Sequence, residues 1–160
     1  LILTGSNDRS AKLWFTETGK CKRTLSGHTG NVKAVCYSSH GKWVLTGSSD
    51  SSAKIWNTAT GHVEQTLTGH QAGIAAVAFE PSCTRAATGS DDATARIWST
   101  VTGECLRILQ GGMGYVCALA FAPRGKLLAT GSYDRSARVW DADTGECRLE
   151  LKHRGVVNCV

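Results

Sequence analysis

Apolar and polar positions alternate along this chain in short runs, and the runs recur. Residues 32–37 (Val-Lys-Ala-Val-Cys-Tyr) alternate and then stop at a turn around Gly41. Residues 43–48, 53–56 and 63–67 form three more such runs. They are separated by turns at Asp50 and Thr60–Gly61, and the last is closed by Gly69–His70. Runs this short, rich in β-branched and apolar residues and punctuated by Gly, Ser, Asn and Asp, predict strands and an all-β protein. No window carries a sustained 3.6-residue period, so no long helix is predicted. The two prolines, Pro81 and Pro123, fall where a strand would end and a turn begin.

The runs belong to a repeat. Thr-Gly-Ser stands at residues 4–6, 46–48, 88–90 and 130–132, a spacing of 42 residues. In each copy an aspartate follows at a fixed distance (Asp8, Asp50, Asp92, Asp134), and then a tryptophan (Trp14, Trp56, Trp98, Trp140). Such regularity is the signature of a modular array whose units bury their apolar faces against their neighbours. Four short strands in each 42-residue unit is the arrangement of one propeller blade.

Composition narrows the picture little. In 160 residues, 41% hydrophobic and 19% charged, the chain has the profile of a globular protein, with no apolar run long enough for a membrane helix. The net charge of +5 is scattered, with no basic block longer than Lys20–Arg23, which argues against nucleic acid or an acidic membrane as the main partner. The chain opens on Leu-Ile-Leu and shows no signal peptide, so it reads as part of something longer and not as a secreted protein. Its seven cysteines form no C-x-x-C pair. Cys21, Cys105 and Cys147 share one repeat position, which suggests small buried strand residues. Reduced thiols, no metal, no cofactor and a cytoplasmic or nuclear setting are expected.

With these motifs in view the chain resembles the WD-repeat (WD40) β-propellers over essentially its whole length. Gly27–His28 and Gly69–His70 match the family's Gly-His, and Trp140–Asp141 its Trp-Asp. Trp14–Phe15, Trp56–Asn57 and Trp98–Ser99 keep only the tryptophan. The expectation is one partial propeller domain, residues 1–160, with repeats at about 1–27, 28–69, 70–111 and 112–152 and a further repeat starting at 153–160. That makes three complete blades, with a second strand (1–4) opening the chain and a first strand (156–160) closing it. The remaining blades would come from a longer chain or from a second copy closing the ring.

The resemblance implies structural tetrads of His, Ser/Thr, Asp and Trp. One is His28, Thr46, Asp50 and Trp56; another is His70, Thr88, Asp92 and Trp98. Partial sets are Thr130, Asp134 and Trp140, and Thr4, Asp8 and Trp14. These types suit one another: an indole N–H needs an acceptor, a threonine hydroxyl donates and accepts, and a carboxylate fixes one imidazole tautomer. A catalytic triad is a poor alternative, because the set recurs in every repeat whereas catalysis needs one site. In the fourth repeat Gly112, within Gly111-Gly112-Met113-Gly114, takes the histidine place. No Lys-Ser/Thr or helix follows, so this is not a phosphate loop. A broken network is expected there, costing about 1–2 kcal/mol, with Gly112→His raising the melting temperature. At the end of the chain, His153 is expected to occupy the next histidine place.

Family members typically bind partners on the rim of the central channel without catalysis. The resemblance places there Asn7, Ser49, Asp91 and Tyr133, just before the turn aspartate. It also places there Asn31 and Lys33, Gly73 and Ala75, and Tyr115 and Cys117. Unlike the tetrads, these residues change from repeat to repeat. Tyr115 and Tyr133 fall on one blade and have the profile of a binding hot spot, with inter-blade packing as the competing explanation. Lys33 and Asp91 add opposite charges on adjacent blades. Trp43, with Arg85 and Leu127 as equivalents, lies at the opposite end of its strand. The function expected is a non-catalytic protein-protein interaction scaffold for multiprotein complexes, taking other proteins or peptide segments. Nucleic-acid or anionic-lipid binding is the alternative; an enzyme is disfavoured for want of a unique nucleophile or acid pair.

Overall fold

The computed structural model describes residues 1–112 and 114–160; Met113, in the glycine-rich loop, lies outside the described residues. Among the described residues fifteen strands build four antiparallel sheets, one after another along the chain. The first sheet holds β1 (Ile2–Gly5), β2 (Ser10–Trp14) and β3 (Cys21–Ser26). The second holds β4 (Val32–Tyr37), β5 (Trp43–Ser48), β6 (Ala53–Asn57) and β7 (Val63–Leu67). The third holds β8 (Ile74–Phe79), β9 (Arg85–Ser90), β10 (Ala95–Ser99) and β11 (Cys105–Leu109). The fourth holds β12 (Val116–Phe121), β13 (Leu127–Ser132), β14 (Ser136–Asp141) and β15 (Cys147–Lys152). Each is a simple meander with its strands in sequence order. No helix long and apolar enough to cross a membrane occurs among the described residues.

The core lies between sheets, not within them. Ala11, Leu13 and Leu25 of the first sheet pack against Val32, Val44 and Trp56 of the second. Leu45, Ala53, Ile55 and Leu67 meet Ile74, Ala86 and Trp98 of the third. Ala87, Ala95, Ile97 and Leu109 meet Val116, Leu128 and Trp140 of the fourth. The same repeat positions supply each cluster, so a sheet alone leaves two apolar faces open and stacking closes them. The glycine of Thr-Gly-Ser marks the closest approach. A Cβ at Gly47 would stand 2.6 Å from Ile74 Cγ2, and one at Gly89 2.8 Å from Val116 Cγ1, on the inner strand of the following sheet.

Two expectations change at the edges. Cys21, Cys105 and Cys147 are exposed, not buried: they open the outermost strands β3, β11 and β15, beyond the zone where sheets touch. Residues 156–160 form no strand, because no described strand pairs with them. They still pack where an inner strand would run, with the Val157 N–H donating to Ser132 O at 3.1 Å. The Val32 N–H donates to Ser6 O in the same way between the first two sheets.

Candidate functional site

A frame of hydrogen bonds holds the turns at one end of the sheets. The His28 Nε2 lies 2.7 Å from Thr46 Oγ1 and its Nδ1 2.9 Å from Asp50 Oδ2, while Trp56 Nε1 donates to Thr46 Oγ1 at 2.9 Å. The third sheet repeats this: His70 Nε2 to Thr88 Oγ1 at 2.7 Å, His70 Nδ1 to Asp92 Oδ2 at 2.7 Å, Trp98 Nε1 to Thr88 Oγ1 at 2.8 Å. The threonine accepts from the indole and donates to Nε2, which leaves the proton of a neutral imidazole on Nδ1, facing the carboxylate. The first sheet keeps the Trp14 to Thr4 bond at 2.9 Å, and Asp8 bonds Ser10.

A fifth member, not read from the sequence, completes the frame: Ser10, Ser52, Thr94 and Ser136. Each hydroxyl donates to the aspartate two residues earlier, at 2.7, 2.7, 2.6 and 2.5 Å. The 42-residue recurrence of Asp-x-Ser/Thr was the signal that could have found them. These bonds also hold Arg9, Ser51, Ala93 and Arg135 at φ 66–69°, a left-handed conformation that non-glycine residues adopt only at a cost.

Burial works against ionisation of Asp92, but bonds from the Thr94 hydroxyl, the Gln71 N–H and His70 outweigh it and hold the carboxyl at about 2. Asp50 is lowered for the same reasons. Burial pushes His28 and His70 below the ordinary histidine value, against the pull of their aspartates. The unfolded chain therefore takes up protons first on acidification. The histidine contribution is complete above pH ~6.5 and is lost as pH falls through the lowered folded values. The aspartate contribution persists until pH falls below ~3.8 towards the folded values. Thermal melts from pH 8 to pH 4 should show stability falling below pH ~6.5, by at most about 1.4 kcal/mol per pH unit for each histidine. His28→Asn/His70→Asn should flatten that slope; an unchanged slope rules out these imidazoles as its source.

The fourth sheet corrects the expectation of a broken network. Trp140 Nε1 still donates to Thr130 Oγ1 at 2.9 Å. In place of a histidine, the buried Arg138 turns inward and donates to Asp134 Oδ2 at 2.8 Å and to Glu150 Oε1 at 2.5 Å. A Cβ on Gly112 would run into the Asp134 carboxylate and stand 2.9 Å from Arg138 Nη1. The histidine place is thus taken by an arginine from the neighbouring strand. The equivalent Lys54 and Arg96 point elsewhere, Lys54 to Thr66 Oγ1 at 3.1 Å and Arg96 over the Trp98 ring.

The variable residues expected on the rim lie beside this frame. Backbone bonds pin them in pairs: Ser49 N–H to Asn31 O at 2.9 Å, Asp91 N–H to Gly73 O at 2.9 Å and Tyr133 N–H to Tyr115 O at 3.0 Å. Tyr115 and Tyr133 are each about half exposed, with ring centroids 5.8 Å apart and planes tilted by 50°. Lys33 and Asp91 face each other across sheets at 2.9 Å, so their charges largely cancel. Gly73 lies beneath that pair, its missing Cβ 3.3 Å from both charged atoms, so a side chain there would crowd the contact. Asn7, Asn31 and Ser49 are exposed, Ser49 and Asn31 joined by that backbone bond, and half-buried Cys117 has its thiol pKa raised by burial. No group of three metal-ligating side chains occurs among the described residues.

The family model described as WD domain, G-beta repeat, matches residues 19–57, 61–99 and 103–141. Curated relatives match over shorter stretches. Coatomer subunit beta'-2 of Arabidopsis thaliana is 53% identical over 36 residues, 22% of this chain and 4% of that protein. Ribosome assembly protein 4 of Chaetomium thermophilum is 46% identical over 43 residues, 27% of this chain and 8% of that protein. Myosin heavy chain kinase C of Dictyostelium discoideum is 47% identical over 36 residues, 22% of this chain and 5% of that protein. Each match spans less than a tenth of the relative's length.

Proposed function

This chain belongs to the WD40 repeat family, and on that premise we propose that it is a non-catalytic platform for assembling protein complexes, binding a peptide segment or domain surface on its rim. We treat residues 1–160 as one propeller unit whose repeating hydrogen-bonded frame supports the non-repeating rim. The observation that carries the reading is the tyrosine pair. Two exposed rings, fixed by the Tyr133 N–H to Tyr115 O bond, offer a large contact area at little conformational cost. Asp91 and Lys33 form a polar border, with Asn31, Ser49 and Asn7 beyond it. The relatives' names suit such a role: one is a subunit of coatomer and another a ribosome assembly protein. Seven free thiols suit a reducing compartment, the cytoplasm or the nucleus. The kinase among the relatives matches over only 5% of its length, so its name carries no catalytic role to this chain.

The test is affinity capture with the wild type and with Tyr115→Ala/Tyr133→Ala, followed by a titration of each captured partner. Truncating two hot-spot rings should weaken rim partners by about 30-fold or more, ~2 kcal/mol or above. The melting temperature should not change, because the rings are exposed. Identical partner sets and affinities would remove this surface. Binding that collapses steeply with salt would favour nucleic acid or anionic lipid instead.

A further inference from the structure

Three of the four sheets guard their outermost strand with charged and hydroxyl side chains, and one does not. At the two equivalent exposed positions the first sheet carries Lys22 and Thr24, the second Glu64 and Thr66, and the fourth Arg148 and Glu150. The third sheet places Leu106 and Ile108 there, 39% and 55% exposed. It is packed on both faces by neighbouring sheets, so these two side chains stay bare with the neighbours in place. No described strand pairs with the outer edge of β11. Such an edge offers unpaired N–H and C=O groups, and exposed charges are the usual means of keeping other chains off it. Beside β11, Leu106 and Arg107 form with Arg85, Ala142 and Asp143 a hollow of about 320 Å³ between the third and fourth sheets. The exposed Arg107 is held by main-chain oxygens, its Nε donating to Asp143 O at 2.8 Å and its Nη1 to Leu106 O at 2.5 Å. No carboxylate pairs with it among the described residues, whereas Arg85 is matched by Glu80 and Asp143. The hollow therefore carries the uncompensated charge of Arg107.

We propose that β11 takes an added strand from another protein, an extended segment in which consecutive residues read apolar, acidic, apolar. Main-chain pairing along the open edge supplies the affinity, and the side chains supply the choice of partner. The apolar residues of the segment cover Leu106 and Ile108, and its carboxylate meets the Arg107 guanidinium. A second copy of this chain fits the edge less well. An antiparallel pair of β11 strands centred on Arg107 sets two guanidinia directly opposite each other, an unfavourable cross-strand pair. The site lies on the outermost strand of the third sheet, apart from the tyrosine pair, and goes beyond the proposed function.

Fluorescence anisotropy with a labelled peptide of alternating valine and glutamate tests this. The wild type should bind it, and should bind the valine-lysine counterpart about tenfold more weakly or worse. Leu106→Glu/Ile108→Thr gives β11 the residues that β7 carries at these positions. It should weaken binding of the acidic peptide by about tenfold or more. Circular dichroism and melting temperature should be retained, because both side chains are exposed. Arg107→Glu should reverse the order of the two peptides. Tyr115→Ala/Tyr133→Ala should bind the acidic peptide as the wild type does, so this edge and the rim can fail independently. A wild type that binds neither peptide, equal binding of the two, or binding that survives the edge variant each overturns the proposal. So does a wild-type dimer in sedimentation that the edge variant abolishes, since the occupant would then be a second copy.

Discussion

Arg138→Met is expected to destabilise the protein by about 2–3 kcal/mol, a fall of roughly 4–12 °C in melting temperature. The guanidinium is buried, and its removal leaves Asp134 without the cation that faces it in a site screened from water. Breaking such a pair costs more than forming it gained, since a partly desolvated charge stays behind. The same geometry reverses the effect of Gly112→His. In the wild type it should lower the melting temperature, because the new side chain collides with the Asp134 carboxylate and competes with Arg138. In the Arg138→Met background the guanidinium no longer holds the Asp134 carboxylate against Gly112, so the carboxylate can give way and an imidazole can bridge Asp134 and Thr130 as His28 bridges Asp50 and Thr46. A double-mutant cycle should therefore show a favourable coupling above about 1 kcal/mol. A rise in melting temperature from Gly112→His alone would show that Arg138 is no substitute.

This residue marks the boundary of what the sequence made legible. The 42-residue period, the strand runs and the stacking of sheets follow from pattern alone, because each repeat position meets the same neighbours in every copy. Thr46, Asp50 and Trp56 could be placed for that reason. Arg138 could not. It stands where Lys54 and Arg96 stand, in the same Ala-Lys/Arg-aliphatic-Trp wording, but its guanidinium takes different partners. The guanidinium fills the room left beside Gly112, a contact between positions 26 residues apart. The exposed Cys21, Cys105 and Cys147 failed for another reason: periodicity says that a position is constrained, not how far it lies from the axis where sheets meet. The candidate rim positions were picked out as the set that varies between repeats. The cancellation of Lys33 by Asp91, though, depends on the angle between neighbouring sheets, and no single repeat encodes it.

Repetition also supplies an internal control for the other large effect. Arg85 joins the third and fourth sheets at the end opposite the rim. It donates to Glu80 through Nη2 at 2.7 Å and Nε at 3.2 Å, to Gly125 O at 3.1 Å, to Ala142 O at 3.0 Å and to Asp143 at 2.7 Å. Glu80 is buried, and these bonds with those from Ser82 and Thr84 hold its carboxyl below the usual range despite that burial. Arg85→Leu should cost about 3–5 kcal/mol, because it strands the Glu80 carboxylate inside the contact. The fourth repeat carries apolar residues at these positions: Ala122 and Leu127 are the equivalents of Glu80 and Arg85, although no further sheet among the described residues covers them. Glu80→Ala/Arg85→Leu should therefore recover most of the loss and end within about 2 kcal/mol of the wild type, since a buried ion pair is often replaceable by well-packed apolar residues. Denaturant titration of the wild type, both single variants and the double variant decides the matter. Additive losses in the double variant would mean that Arg85 acts through its bonds to Gly125, Ala142 and Asp143 and not by neutralising Glu80. A loss below about 1 kcal/mol for Arg85→Leu would remove the brace altogether.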